Sequence, residues 1–474
     1  MAVPPVTGSQ RWCHLQGGLL EGRMPDAPAL LDAARAHFAD GVTLPLPARR
    51  AALEALRAGL EAIEGELLAA LAEDLGKSEF EAWTSEIMLV RQEIALALKR
   101  LPRWAGERRV GGRWFHLPGR AALRMEPKGA VLILGPWNYP VQLCLVPLVS
   151  ALAAGNAVVL KPSEVAPATA AALGRLAARC FAPGHVQVVE GGPEVAAGLT
   201  AQPFDHIFFT GGTETGRKVA EAAARNLATV TLELGGANPC VVDGGTDIAL
   251  TARRIAWAKF LNAGQTCLAP NHLLVREDVA EALVAALRET LARFYGADGR
   301  GMQRVVNARH LARMRAVAAR GRVALGGGVD EGALHMQPTL LLDPDPALLE
   351  EEIFGPVLPI VTWRDRAAML TDLSRRPRPL ALYAHTRDTD FAEAVARALP
   401  SGGFCVNEAI VHCTVPDLPF GGVGPSGQGR YHGEAGFEAF SNARAIFRQP
   451  AGIDPPVRYP PYKTPLSIIR RIMG

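Results

Sequence analysis

Apolar and polar positions alternate with different periods along the chain, and each change of period marks an element. From Lys128 to Leu234 short apolar runs are separated by helical patterns. Ala130–Leu134, Ala157–Leu160, Val186–Val189, Ile207–Phe209 and Val230–Leu234 read as strands. The stretches 141–154, 168–181, 193–200 and 215–226 between them read as helices. Runs that are apolar on both faces predict a parallel sheet covered on both sides, with ligands bound beyond the carboxyl ends of its strands. A second alternation follows Gly236, with strands near 239–242, 273–275, 338–342, 357–361, 381–384 and 403–406. It predicts a second α/β unit.

Upstream, Leu53, Leu56, Leu60, Ile63, Leu67 and Leu71 recur at three and four, the apolar face of one helix, with Gly76 placed to end it. A further helix is predicted from about Glu79 to Trp104, its charges forming a solvated face. Val110–Met125, with Gly111, Gly112 and Pro118-Gly119 between apolar pairs, reads as a hairpin. Tyr139–Leu160 is apolar enough to raise the question of a membrane span. Gln142, Pro147, Ser150, Gly155 and Asn156 interrupt it, which favours a buried helix running into a buried strand. Residues 1–26 carry no clear periodicity and read as a loose N-terminal extension. The tail ends in an apolar stretch too short to span, beside Lys463, Arg470 and Arg471, and is expected to pack on the protein.

A chain of 474 residues can bury more than one core, and 49% hydrophobic against 20% charged content is that of a globular protein. A net charge of +3, with no strip of aromatic and basic residues, argues against nucleic acid. Seven scattered cysteines without a C-x-x-C pair point to a reducing compartment and give no zinc signature. The N-terminus lacks a secretory pattern, so the expectation is a soluble cytoplasmic enzyme.

Three residues carry candidate chemistry. Cys267 follows a helix that ends at Asn262-Ala263-Gly264, on a polar connector where backbone N–H groups can stabilise a thiolate. Glu233 stands at the end of the apolar strand before Gly235-Gly236, and Asn138 follows the strand Ala130–Leu134 within Gly135-Pro136-Trp137-Asn138-Tyr139-Pro140. Nucleophile, carboxylate and amide donor at element termini form a covalent-catalysis constellation. A buried structural thiol, a salt-bridged edge carboxylate and a turn-holding asparagine are the plain alternatives.

These three motifs together resemble those of the aldehyde dehydrogenase superfamily, class 3 branch, over roughly residue 30 to Pro461. Pro419–Gly427 with Tyr431-His432-Gly433 is similar to the branch's own signature. The resemblance implies a Rossmann-like NAD(P)-binding domain (27–109 and 127–235), a catalytic α/β domain (236–417) and a small β bridging element with the tail (110–126 and 418–474). It implies oxidation of an aldehyde to the acid: Cys267 attacks, Asn138 donates to the oxyanion, and Glu233 activates the water that hydrolyses the thioester.

For the cofactor it implies Lys161 and Glu164 at the adenosine ribose, and the glycine turn Gly211, Gly212 and Gly216 at the pyrophosphate. Glu352 would bond the nicotinamide ribose and Phe354 pack near the ring. Gly212 departs from the small polar residue usual in relatives, which removes a side-chain phosphate contact. NAD is the expected cofactor with NADP accepted, because Glu164 opposes a 2′-phosphate and Lys161 attracts it. The implied substrates are aromatic or medium-to-long aliphatic aldehydes, and the implied assembly is a homodimer without metal, nucleic acid or membrane. His412 is a candidate for the channel wall. Transfer of the acyl group to coenzyme A, a cysteine hydrolase and a non-catalytic protein of the same fold are the rivals. A dedicated water base at Glu233 argues against the first, and the lack of a histidine dyad motif near Cys267 against the second.

Overall fold

The computed structural model describes residues 26–454 and 458–473; the N-terminal extension lies outside them apart from Asp26, which caps the helix Ala27–Ala39. The first sheet runs Gly427–Gln428, Thr229–Glu233, His206–Thr210, Ala130–Leu134, Ala157–Lys161, Val186–Val188. Only the two-residue Gly427–Gln428 edge is antiparallel. Chain order reverses between Ala130–Leu134 and His206–Thr210, so the connections leave in opposite directions and open a crevice there. Asn138 and the glycine turn after Thr210 both emerge at that point.

The second sheet runs Arg322–Leu325, Thr339–Leu342, Val357–Trp363, His272–Arg276, Pro239–Val242, Ala381–His385, Gly403–Val406. Its Arg322–Leu325 edge, antiparallel to its neighbour, is exposed to half-buried and lacks the apolar run that marks the others. Cys267 enters the site from the amino edge of this sheet, just before His272–Arg276, and not from a carboxyl edge. A third sheet pairs Arg108–Val110, Arg120–Pro127 and Ser441–Arg448 in antiparallel fashion, the last along eight residues. One apolar core runs from the helices on the first sheet (Leu56, Leu152, Phe208) to the second (Cys240, Leu273, Leu358), which braces the cleft between them.

Tyr139–Leu160 contains the wholly buried helix Gln142–Ala154 and the buried strand Ala157–Lys161. Among the described residues no helix is long and apolar enough to cross a membrane. The leucine face at 53–71 belongs to two helices, Leu46–Ala62 and Glu64–Leu75, broken at Ile63 but burying one continuous row. Gly76 ends the second in the left-handed region at φ +68°.

Two further expectations fail. The Glu79–Trp104 stretch is a short helix, a wide π-turn at Trp83–Ile87 and the helix Met88–Trp104, and its Glu81, Glu86 and Glu93 are buried, not solvated. In the tail helix Leu466–Met473, Leu466 and Ile468 are 61% and 47% exposed, so that apolar face does not pack on the described chain.

Candidate active site

The helix Ile248–Phe260 stops where Asn262, Ala263 and Gly264 turn left-handed in succession, at φ +52°, +54° and +73°. A side chain at Gly264 would stand 2.3 Å from the Gly355 carbonyl oxygen, so the turn closes onto the Glu352–Gly355 loop only with glycine there. The turn delivers Cys267 to the crevice on a backbone pinned from several sides. Asn238 Nδ2 donates to the Cys267 carbonyl at 2.6 Å and to that of Ala269 at 3.1 Å. Tyr383 donates its hydroxyl to the Leu268 carbonyl at 2.6 Å. The Gln265 amide donates to the Asn262 and Arg304 carbonyls.

Asn138 is buried, and its Nδ2 donates to the Gln265 carbonyl at 3.0 Å, bringing the amide beside the cysteine loop. Tyr139 and Thr266 join hydroxyls at 2.6 Å across the same seam. Glu233 ends its strand buried, with neither carboxylate oxygen hydrogen-bonded to any described group. Burial pushes its carboxyl well above the usual range, with Arg430 pulling it back. The loop before Gly427–Gln428 holds Glu233 from outside: Gly427 pairs with it and Leu234 N–H donates to the Ser426 carbonyl at 3.2 Å.

The half-buried Cys267 thiol is pushed up by burial and then by Glu352, Cys413 and Glu233, while its own backbone N–H pulls it down. Two carboxyls thus lie near enough to the thiol to oppose its ionisation. Glu352 lies against Gly235, where a Cβ would meet its carboxylate at 2.1 Å, and accepts from the Gly236 N–H at 3.3 Å. Burial raises it to about 7. Phe354, at φ +49°, sets its ring 5.4 Å from Trp137, next to Asn138.

The glycine turn divides its labour. Gly211 N–H is taken by the Glu233 carbonyl at 3.0 Å, and Gly216 has room for no side chain because Leu234 packs 2.5 Å from where one would start. Gly212 caps the helix Thr213–Arg225 with open space before it, and the first-turn N–H groups there have no partner inside the helix. An anionic pyrophosphate fits that end on charge and space. Lys161 and Glu164 lie at the end of the neighbouring strand, bonded to each other at 3.0 Å.

A narrow cleft, with a cavity volume of only about 20 Å³, is lined by Leu89, Glu93, Gln142, Val146, Cys413 and His432. His412 is not on this wall: its Nδ1 is turned to Cys405 Sγ at 3.1 Å, and its neighbour Cys413 faces the cleft instead. Sequence reasoning passed over Asn238 and Tyr383. Asn238 carried the signal that marked Asn138, an amide at a strand terminus, whereas Tyr383 sits in an apolar strand and gave none.

A model of the aldehyde dehydrogenase family matches residues 15–446, beginning inside the stretch read from the sequence as an extension. The chain belongs to the aldehyde dehydrogenase family. It is 43% identical over 437 residues to mouse aldehyde dehydrogenase family 3 member B1, covering 91% of this chain and 93% of that one. The substrate-bound structure of Staphylococcus aureus AldH superposes with a TM-score of 0.92 at 36% identity, covering 94% of this chain and 99% of that one. A Mycobacterium tuberculosis aldehyde dehydrogenase solved with NAD+ gives 0.82 at 28% identity, with 90% and 91% covered. This aldehyde dehydrogenase is therefore an NAD(P)-dependent oxidoreductase that converts aldehydes to carboxylic acids.

Proposed function

We propose that Cys267, Asn138 and Glu233 perform the oxidation, with Glu233, buried and unpartnered beside the thiol, as the observation that carries the reading. Cys267 as thiolate adds to the aldehyde carbon. The new oxyanion takes hydrogen bonds from the second N–H of the Asn138 amide, the first being held by Gln265, and from the Cys267 backbone N–H. A nicotinamide dinucleotide, when held by the residues named below, would supply the hydride acceptor, and loss of hydride from the thiohemiacetal carbon would leave the thioester on Cys267. Glu233, once ionised, takes a proton from water as it attacks the thioester; the acid departs and the proton returns to the sulfur or to solvent. Lys161 and Glu164 hold the adenosine ribose, Gly211, Gly212 and Gly216 shape the pyrophosphate turn, and Glu352 and Phe354 address the nicotinamide half.

NAD is preferred and NADP accepted, because Lys161 and Glu164 largely neutralise one another. The apolar Leu89 and Val146 in the cleft favour aromatic or medium-to-long aliphatic aldehydes. The domain division remains that of the sequence reading, supported by the separate sheets. A homodimer is supported by Ser441–Arg448, whose outer edge has no strand partner among the described residues. A reducing, cytoplasmic setting is supported by six free cysteines among the described residues.

The test is reduced-nicotinamide absorbance with an aldehyde series, in wild type and Cys267→Ala. Oxidation should vanish in the variant while cofactor binding stays intact. Wild-type turnover without Cys267 would remove the central claim.

A further inference from the structure

The segment 77–86 carries three buried charged side chains that the chemistry above does not use. Lys77 and Glu86 are wholly buried and paired, Nζ to Oε1 at 2.6 Å. Glu81 is buried too. On a regular α-helix Glu81 and Glu86 would point about 140° apart. The wide turn at Trp83–Ile87 between them brings both to the interior, a use of π-turns common near functional sites.

Each of the three ends on backbone of the catalytic loops. Lys77 Nζ donates to the Asn138 carbonyl at 3.0 Å and stands 3.9 Å over the Tyr139 ring. Glu86 Oε2 accepts from the Val141 and Gln142 N–H groups, both at 2.9 Å, where the next helix begins. Glu81 Oε1 accepts from the left-handed Asn262 N–H at 2.9 Å, and its Oε2 takes the Gln303 amide. Asn262 closes the circuit, donating its own amide to the same Asn138 carbonyl at 2.8 Å. One short segment thus grips both the loop of the oxyanion donor and the turn that delivers the nucleophile.

Burying this pair is costly, since desolvation pushes Glu86 up against the pull of Lys77. Apolar side chains of similar size would fill the space at least as stably. Packing alone therefore does not account for the charges, but the fixed placement of two backbones does.

We propose that Lys77, Glu86 and Glu81 are positioning residues that hold the Asn138 amide in register with Cys267. They touch neither substrate nor cofactor, and the inference rests on the roles given above to Asn138 and Cys267. The experiment is a coupling cycle on the single-turnover rate of hydride transfer, with cofactor affinity measured alongside. Lys77→Met/Glu86→Gln removes the charges together and keeps the volume and an acceptor for the two N–H groups. It should lower the rate about 10–100-fold while leaving cofactor affinity unchanged.

Asn138→Ala in the wild type should cost about 10²–10³-fold, and clearly less in the double variant, where the amide is already misaimed. If the two losses multiply in full, or the double variant reacts at the wild-type rate, the positioning role is overturned while the site assignment stands. If Asn138→Ala alone reacts at the wild-type rate, the site assignment falls and this inference with it. Glu81→Leu leaves the ion pair in place and removes the acceptors of the Asn262 N–H and of the Gln303 amide. It carries the same cycle should the double variant not fold: reduced coupling is expected, and full multiplication overturns the proposal.

Discussion

Glu93 allows a quantitative test of how the cleft was built. It is 7% exposed on the cleft wall, and its Oε1 accepts from the Gly433 N–H at 2.8 Å. Burial raises its carboxyl to about 7, with the Gly433 bond pulling the other way. Because the folded state holds this proton to higher pH than the unfolded chain, the folded protein is favoured most below the unfolded value of 4.5. Stability should then fall as pH climbs toward about 7 and level off above it. Moving a carboxyl from 4.5 to about 7 corresponds to about 3 kcal/mol.

Glu93→Gln keeps the shape and an acceptor for Gly433 but does not titrate. The variant-minus-wild-type difference in unfolding free energy should be flat at acid pH, grow between about pH 5 and 7, and end about 3 kcal/mol higher. The difference cancels every other titrating group and any constant cost of burying an amide. Denaturant unfolding at fixed protein concentration measures it, since assembly would otherwise shift the midpoint. A difference that stays flat through neutral pH would show that Glu93 is solvated in the folded protein and that the buried wall is wrong. With the wall uncharged only below neutrality, KM for a neutral aldehyde should also rise with pH in wild type and not in the variant.

Glu233→Gln should leave the first hydride transfer largely in place and stall hydrolysis, seen as a burst of about one reduced cofactor per active subunit before a slow steady state; equal slowing of both phases would place Glu233 earlier in the reaction. Wild-type deacylation should accelerate as pH rises through the elevated Glu233 value, since only the ionised form accepts the proton; a pH-independent single-turnover hydrolysis would contradict this. Glu164→Gln frees Lys161 for a 2′-phosphate and should shift the NADP-to-NAD ratio of kcat/KM up by roughly fivefold, the scale of a part-exposed ion pair; Lys161→Ala should shift it down, and an unchanged ratio in both would misplace the ribose clamp. Light scattering at micromolar concentration should report a dimer, and a monomer would overturn the role given to the Ser441–Arg448 edge.

The elements legible in the sequence were those whose signal is local. Ala130–Leu134 and Pro239–Val242 stand where their apolar runs placed them, because a strand buried on both faces writes its burial into consecutive residues. Gly76 read as a helix end because only its own φ was needed. Cys267, Glu233 and Asn138 stood out because each occupies the end of a recognisable element, and the paired sheets bring those ends to one cleft.

What stayed hidden depends on partners far away in the chain. Glu81, Glu86 and Glu93 read as solvated charges by residue type, and only a five-residue wide turn and neighbours at Asn262, Val141 and Gly433 make them interior groups. His412 and Cys413 are adjacent in sequence, yet the strand Gly403–Val406 draws His412 to Cys405 and leaves Cys413 to the cleft. The tail, apolar enough to suggest packing, found no groove among the described residues. The sequence by itself thus determined which segments are strand or helix and which side chains can do chemistry, since both follow from short-range periodicity and residue type. Only the tertiary structure decided which charges lose their water and which backbone each one holds, because desolvation and hydrogen-bond partners are set by segments distant in the chain.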